Sequence, residues 1–94
     1  MKDLEQALPN KLTTGDILAT VVNTEYWRLG ESTTTVCQLT LKNGFTVIGT
    51  SACIDPLEFN KPVGEQVAWD NALDKVWELE GYLLQQKRHE AGLA

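Results

Sequence analysis

Three groups of side chains in this sequence can do chemistry. Flat aromatic faces come from Tyr26, Trp27, Phe59, Trp69, Trp77 and Tyr82. Cations able to grip a phosphate are Arg28, Lys61, Lys75, Lys87 and Arg88. Asn71 is a polar residue between apolar helix positions, suited to reading a base or ribose edge. Together they describe a binding site for a stacked, phosphorylated ligand. Each also has a structural use. Tryptophans anchor cores and interfaces, and Lys87-Arg88 suits a solvated helix end.

Catalytic arrangements are missing from the sequence. It has no nucleophile elbow, phosphate-binding loop, metal-ligand pair or paired-histidine zinc motif. Asp70, Asp74, Glu78 and Glu80 have the spacing of a solvated helix face. Cys37 and Cys53 have no histidine near them in sequence, and His89 stands alone near the end of the chain. No catalytic residue, metal site or cofactor is expected.

The elements that must position these groups begin with a hairpin. Thr33–Leu41 and Phe45–Cys53 are rich in β-branched residues and flank Lys42-Asn43-Gly44. A two-residue turn centred on Asn43-Gly44 pairs Leu41 with Thr46, Leu39 with Ile48 and Cys37 with Thr50. One face then carries Cys37, Leu39, Leu41, Ile48 and Ala52, and the other Gln38, Thr40, Lys42, Val47 and Ser51 around Gly49. In that register Cys37 and Cys53 point to opposite faces, so free thiols are expected.

Thr24–Leu29 alternates and is aromatic, which predicts a third strand over Glu25–Leu29. Before it, Thr13-Thr14-Gly15-Asp16 offers helix-capping groups, and Ile17, Leu18, Val21 and Val22 follow at helical spacing. This predicts a helix of about two turns, although the β-branched Val21-Val22 also suits a strand. Asp55-Pro56 with Glu58 predicts a short helical turn. From Val63 to about Glu90 one long helical pattern carries two apolar stripes. Val67, Ala68, Ala72, Val76, Leu79 and Leu83 form one, and Trp69, Leu73, Trp77 and Leu84 the other. Gly81 interrupts them, which predicts a bend, an end or a close backbone contact. The fold expected is α+β: an antiparallel meander of three or more strands, a short N-terminal helix, and a long C-terminal helix packed on the sheet. Two stripes and an open sheet suit a homo-oligomer, a dimer or higher.

Ninety-four residues make a single domain, 1–94, with Met1–Lys11 as a mobile leader. With 43% hydrophobic and 22% charged residues the chain is globular. A net charge of −5 argues against a nucleic-acid polymer as partner. It leaves room for a small anion on a local basic patch. No stretch suits a membrane span, and acidic residues occupy the place where a signal peptide needs an apolar run. An intracellular protein is expected.

Leu39–Phe45, Ser51–Pro56, Asn71-Ala72-Leu73 and Trp77–Leu84 together resemble a family of small proteins encoded by tailed phages and prophages. The resemblance runs from about Thr13 to Arg88. The family includes the first type of anti-Thoeris protein. Such proteins are sponges: they hold the cyclised ADP-ribose signal of a bacterial TIR-domain enzyme without degrading it. Some relatives bind cyclic oligonucleotides at a separate site, as higher oligomers up to a hexamer, and the pockets lie where subunits meet. The resemblance implies an anti-defence role in the host cytoplasm. It also implies a pocket near the Phe59–Lys61 loop and the long helix, with Asn71 and Arg88 in it. Lys87 adjoins Arg88, but Gly92 stands where a second helical arginine would fall. The runner-up is a phage protein that binds and inhibits a host protein through its sheet edge or helix face. Should the pocket lie elsewhere, Arg28, Lys42 and a hairpin face with Gln38 and Gly49 are the second set.

Overall fold

The computed structural model describes residues 8–93. Helix α1 spans Thr14–Thr20. Strands β1 (Val21–Arg28), β2 (Thr34–Leu41) and β3 (Thr46–Ala52) follow in one antiparallel sheet of order β1-β2-β3. A 3-10 turn at Pro56–Glu58 leads into α2, Lys61–Glu90. The α+β fold is as the sequence predicts. No described helix is long and apolar enough to cross a membrane.

Local chemistry sets the element ends. Thr13 accepts from the Asp16 amide at 3.2 Å while Asp16 accepts from the Thr13 amide at 2.9 Å, a reciprocal capping box. Helix α1 stops at Thr20, and Val21-Val22 opens β1 instead of continuing the helix. The register shifts between Val21 and Asn23, which leaves Val22 exposed at the irregularity. Asp55 caps the 3-10 turn through the Leu57 amide, and Asn60 caps α2 through the Val63 amide.

The hairpin differs from expectation by one residue. Thr40 pairs with Thr46, Leu39 with Val47, Gln38 with Ile48 and Cys37 with Gly49. The cause is a three-residue loop. Gly44 donates to Leu41 O at 2.9 Å, Leu41 donates to Phe45 O at 2.8 Å, and Gly44 alone takes positive φ, at 90°. That is a type I turn closed by a glycine bulge, so Asn43 needs no left-handed conformation. A one-residue slip exchanges the faces of β3. Val47 is buried and Ile48 is exposed, the reverse of the expected arrangement. The supposed common face of Gln38 and Gly49 does not exist, because Gly49 pairs with Cys37 under the helix. Both cysteines are free.

Ile17, Cys37, Leu39, Leu41, Val47, Ala68, Ala72, Leu73 and Val76 form the core, with Leu12, Val21, Trp69 and Trp77 packed against it. The buried strip of α2 therefore runs between the two predicted stripes. Ala68, Ala72, Leu73 and Val76 are covered; Val67, Leu79 and Leu83 are exposed. Small residues explain this close, narrow seat. A Cβ on Gly49 would overlap Ala72 N and Ala68 O, so the helix backbone rests directly on the strand. Thirty helical residues span about 45 Å and eight strand residues about 26 Å, so α2 overhangs the sheet. It runs unbroken through Gly81, where an added Cβ would meet nothing within 4 Å. None of the three expected reasons for that glycine is found within this chain.

Candidate functional site

Phe59 stands at the junction of two clefts at the N-terminal end of α2. The smaller, about 230 Å³, is bounded by Tyr26, Arg28, Thr35, Phe59, Lys61 and Glu65. The larger, about 550 Å³, runs from Phe59 past Asn60 and Ser51 to Asn71.

Arg28 ends β1, and its Nε donates to Ser32 O at 2.6 Å. That bond fixes the guanidinium, which lies over the Phe59 ring with its carbon 4.0 Å from the centroid. Asp55 and Asn60 cap the turns on either side of Phe59, which sets the ring's place in the loop. Lys61 opens α2 beside them. Below lies Thr35, 3% exposed, whose Oγ1 has no hydrogen-bond partner. Leaving such a hydroxyl buried and unpaired costs about 1–3 kcal/mol. The stacked cation and ring line the smaller cleft together with Lys61 and the acidic Glu65, while the Thr35 hydroxyl is sealed against Gly64 rather than open to it.

Sequence-predicted residues divide between places. Phe59 and Lys61 meet as expected, joined by Arg28 from the second set. Asn71 lines the larger cleft, but its Nδ2 donates to Thr50 O at 2.7 Å. One turn on, Lys75 Nζ donates to Ile48 O. Both side chains cap outward carbonyls of β3 and cover that sheet edge. Arg88 and the exposed Lys87 lie elsewhere. Twenty-seven residues separate Lys61 from Arg88 along one straight helix, about 40 Å. Arg88 Nη1 instead donates to the carbonyls of Leu8 and Pro9, at 3.3 and 3.0 Å. Of the predicted leader, residues 1–7 lie outside the described residues. One copy of the chain thus does not bring Phe59, Asn71 and Arg88 together.

Sequence reading missed Thr35, Ser51 and Asn60. As strand or capping residues they carry no signal of their own. Only the fold shows that Thr35 is buried without a partner. Tyr26 faces Cys37 across the strands beside this site. Burial, followed by the nearby Cys37, raises the Tyr26 phenol above its ordinary pKa, and burial raises the Cys37 thiol. Neither is shifted toward a reactive anion. Among the described residues, no three His, Cys, Asp or Glu side chains gather as a metal site would require.

Residues 12–88 match the family model described as the phage protein (N4 Gp49/phage Sf6 gene 66) family. No curated protein and no solved structure matches the chain.

Proposed function

The chain belongs to the phage protein family of N4 Gp49 and phage Sf6 gene 66, and we propose that within it this protein is an anti-defence sponge. It holds a cyclic nucleotide immune signal, a cyclic ADP-ribose isomer, in the host cytoplasm and leaves it intact. The observation that carries this reading is the Arg28–Phe59 stack, with Lys61 lining the same cleft. A base slots against the ring, and the cations meet phosphate. The arrangement binds strongly without placing a nucleophile or an activated acid against the ligand, as sequestration requires.

Assembly completes the site in this reading. Asn71 and Arg88 are about 26 Å apart along α2, so they serve one ligand only across two copies. Leu79, Tyr82 and Leu83 are exposed on the overhanging helix. Antiparallel pairing through them lays the last turn of one helix beside Asp74 of the other, within about a turn of Asn71. A homo-oligomer follows. The second reading, inhibition of a host protein, draws on Ile54 and Leu57, which stand fully in solvent in the loop before Phe59.

Calorimetric titration of the full chain with cyclic ADP-ribose isomers and cyclic dinucleotides tests the proposal. One of them binds at micromolar concentration or below. Arg28→Ala, Phe59→Ala and Arg88→Ala each weaken it about tenfold or more, and heat denaturation returns the ligand unchanged. Binding of none refutes the sponge; a hydrolysed ligand makes the protein an enzyme.

A further inference from the structure

The core stops short of the first turns of α2. From Ala52, where β3 ends, to Val67 no residue is buried. The buried seat of the helix begins at Ala68, above Gly49. The apolar side chains of this stretch are exposed instead: Ile54 and Leu57 stand in solvent, and Val63 and Val67 are 57% and 42% exposed. Buried apolar area gives a segment most of its share of stability, so this one has little.

Polar contacts hold it to the sheet. Thr33 Oγ1 donates to Cys53 O, Ser51 Oγ donates to Gly64 O at 2.6 Å, and the Arg28 guanidinium stacks on Phe59. Within the segment, Asp55 caps the 3-10 turn, Asn60 caps the helix, and Gly64 N donates to Asn60 O at 2.8 Å. Beneath it one group is left unsatisfied. Gly64 covers Thr35 so closely that a Cβ there would come 3.0 Å from Thr35 Oγ1, yet that hydroxyl has no hydrogen-bond partner. Closing the segment buries the hydroxyl unpaired, and opening returns it to water.

We propose that Cys53–Val67 is a strap that opens as one unit. It leaves the sheet and unwinds the first two turns of α2, while the helix from Ala68 onward stays seated. Phe59 travels with it, so opening joins the two clefts that meet at the ring and uncovers Thr35. The strap belongs to the free chain and does not depend on the proposed function.

Hydrogen exchange and thiol labelling of the full chain test it, and neither uses a nucleotide. Amides of Gly64 to Val67 exchange about tenfold or more faster than that of Val76, which opens only with the whole fold. Thr35→Val, which removes the unpaired hydroxyl, slows them about fivefold or more. Thr35→Cys combined with Cys53→Ser places a thiol under the strap, on the same face of β2 as Cys37, which lies under the seated part of α2. An alkylating reagent reaches the introduced thiol about tenfold or more faster than Cys37. Thermal unfolding checks that this variant folds; if it does not, the exchange measurements decide alone. Gly64–Val67 amides exchanging no faster than Val76, or keeping their rate in Thr35→Val, overturn the strap, as does equal labelling of the two thiols in the folded variant.

Discussion

Adding one methyl group at Gly49 tests the seat of α2 on the sheet. In Gly49→Ala the new Cβ would overlap Ala72 N and Ala68 O and lie 2.7 Å from Ala72 Cα. All three are backbone atoms, so no rotamer change relieves the contact; the helix must lift by about 1 Å or more. Overpacking a core commonly costs 1–3 kcal/mol, and a rigid backbone contact puts this case near about 3 kcal/mol. A chain of this length has about 5–14 kcal/mol in total. Urea unfolding reads the loss directly, and Tm should fall by about 12–24 °C. Ala72→Gly does not rescue the variant, because the obstruction is Ala72 backbone rather than its methyl. Lifting α2 also draws Asn71 and Lys75 away from the β3 carbonyls they cap, which hydrogen exchange at that edge detects. The same substitution at Gly81 has the opposite sign. There the Cβ meets nothing, and replacing a mid-helix glycine gains about 0.5–1 kcal/mol. Gly49→Ala unfolding within 0.5 kcal/mol of the parent chain would refute the close-seat reasoning.

The hairpin register makes a paired prediction. Val47→Ala should cost about 2 kcal/mol through lost burial and a residual cavity, whereas Ile48→Ala, on the exposed face, should change urea unfolding by less than about 0.5 kcal/mol in one copy of the chain. Cys37 and Cys53 should differ in reactivity: an alkylating reagent labels the half-buried Cys53 in the native protein and reaches Cys37 only on unfolding, as peptide mass mapping shows. Stability should also fall on the alkaline side. Burial raises the folded-state Cys37 thiol above its ordinary 9.0, so the unfolded chain loses its proton first. The stabilisation is present below about pH 9 and is lost as pH rises through the higher folded value. Cys37→Ala should flatten that limb of a Tm-against-pH curve.

Much of the fold was legible in short-range chemistry. The capping residues Thr13 and Asp55, the β-branched runs and the long apolar period of α2 act over a few residues. They give the element order and the α+β class without tertiary information. The aromatic and basic inventory likewise raised the expectation of a small anionic ligand, since residue types alone determine which groups can stack or donate.

Tertiary structure decided what depends on one-residue precision or on distance. Asn43-Gly44 suits either a two-residue or a three-residue loop, and the choice sends Val47 or Ile48 to the core. Packing over the whole face selects between them, with Gly49 under Ala68 and Ala72 making the observed register the close one. Val21 left the helix because β2 offered it a partner in Leu41, and Val22 follows at the irregularity before the ladder resumes at Asn23. Arg28 and Phe59 are thirty-one positions apart in sequence, and only the end of β1 meeting the loop before α2 stacks one on the other. Arg88 and Phe59 are similarly separated, yet a rigid helix holds them apart, because its rise per residue turns sequence separation into fixed length. Thr35 shows the limit most simply. Its type predicts a strand, and burial without a partner exists only once the sheet and helix close over it.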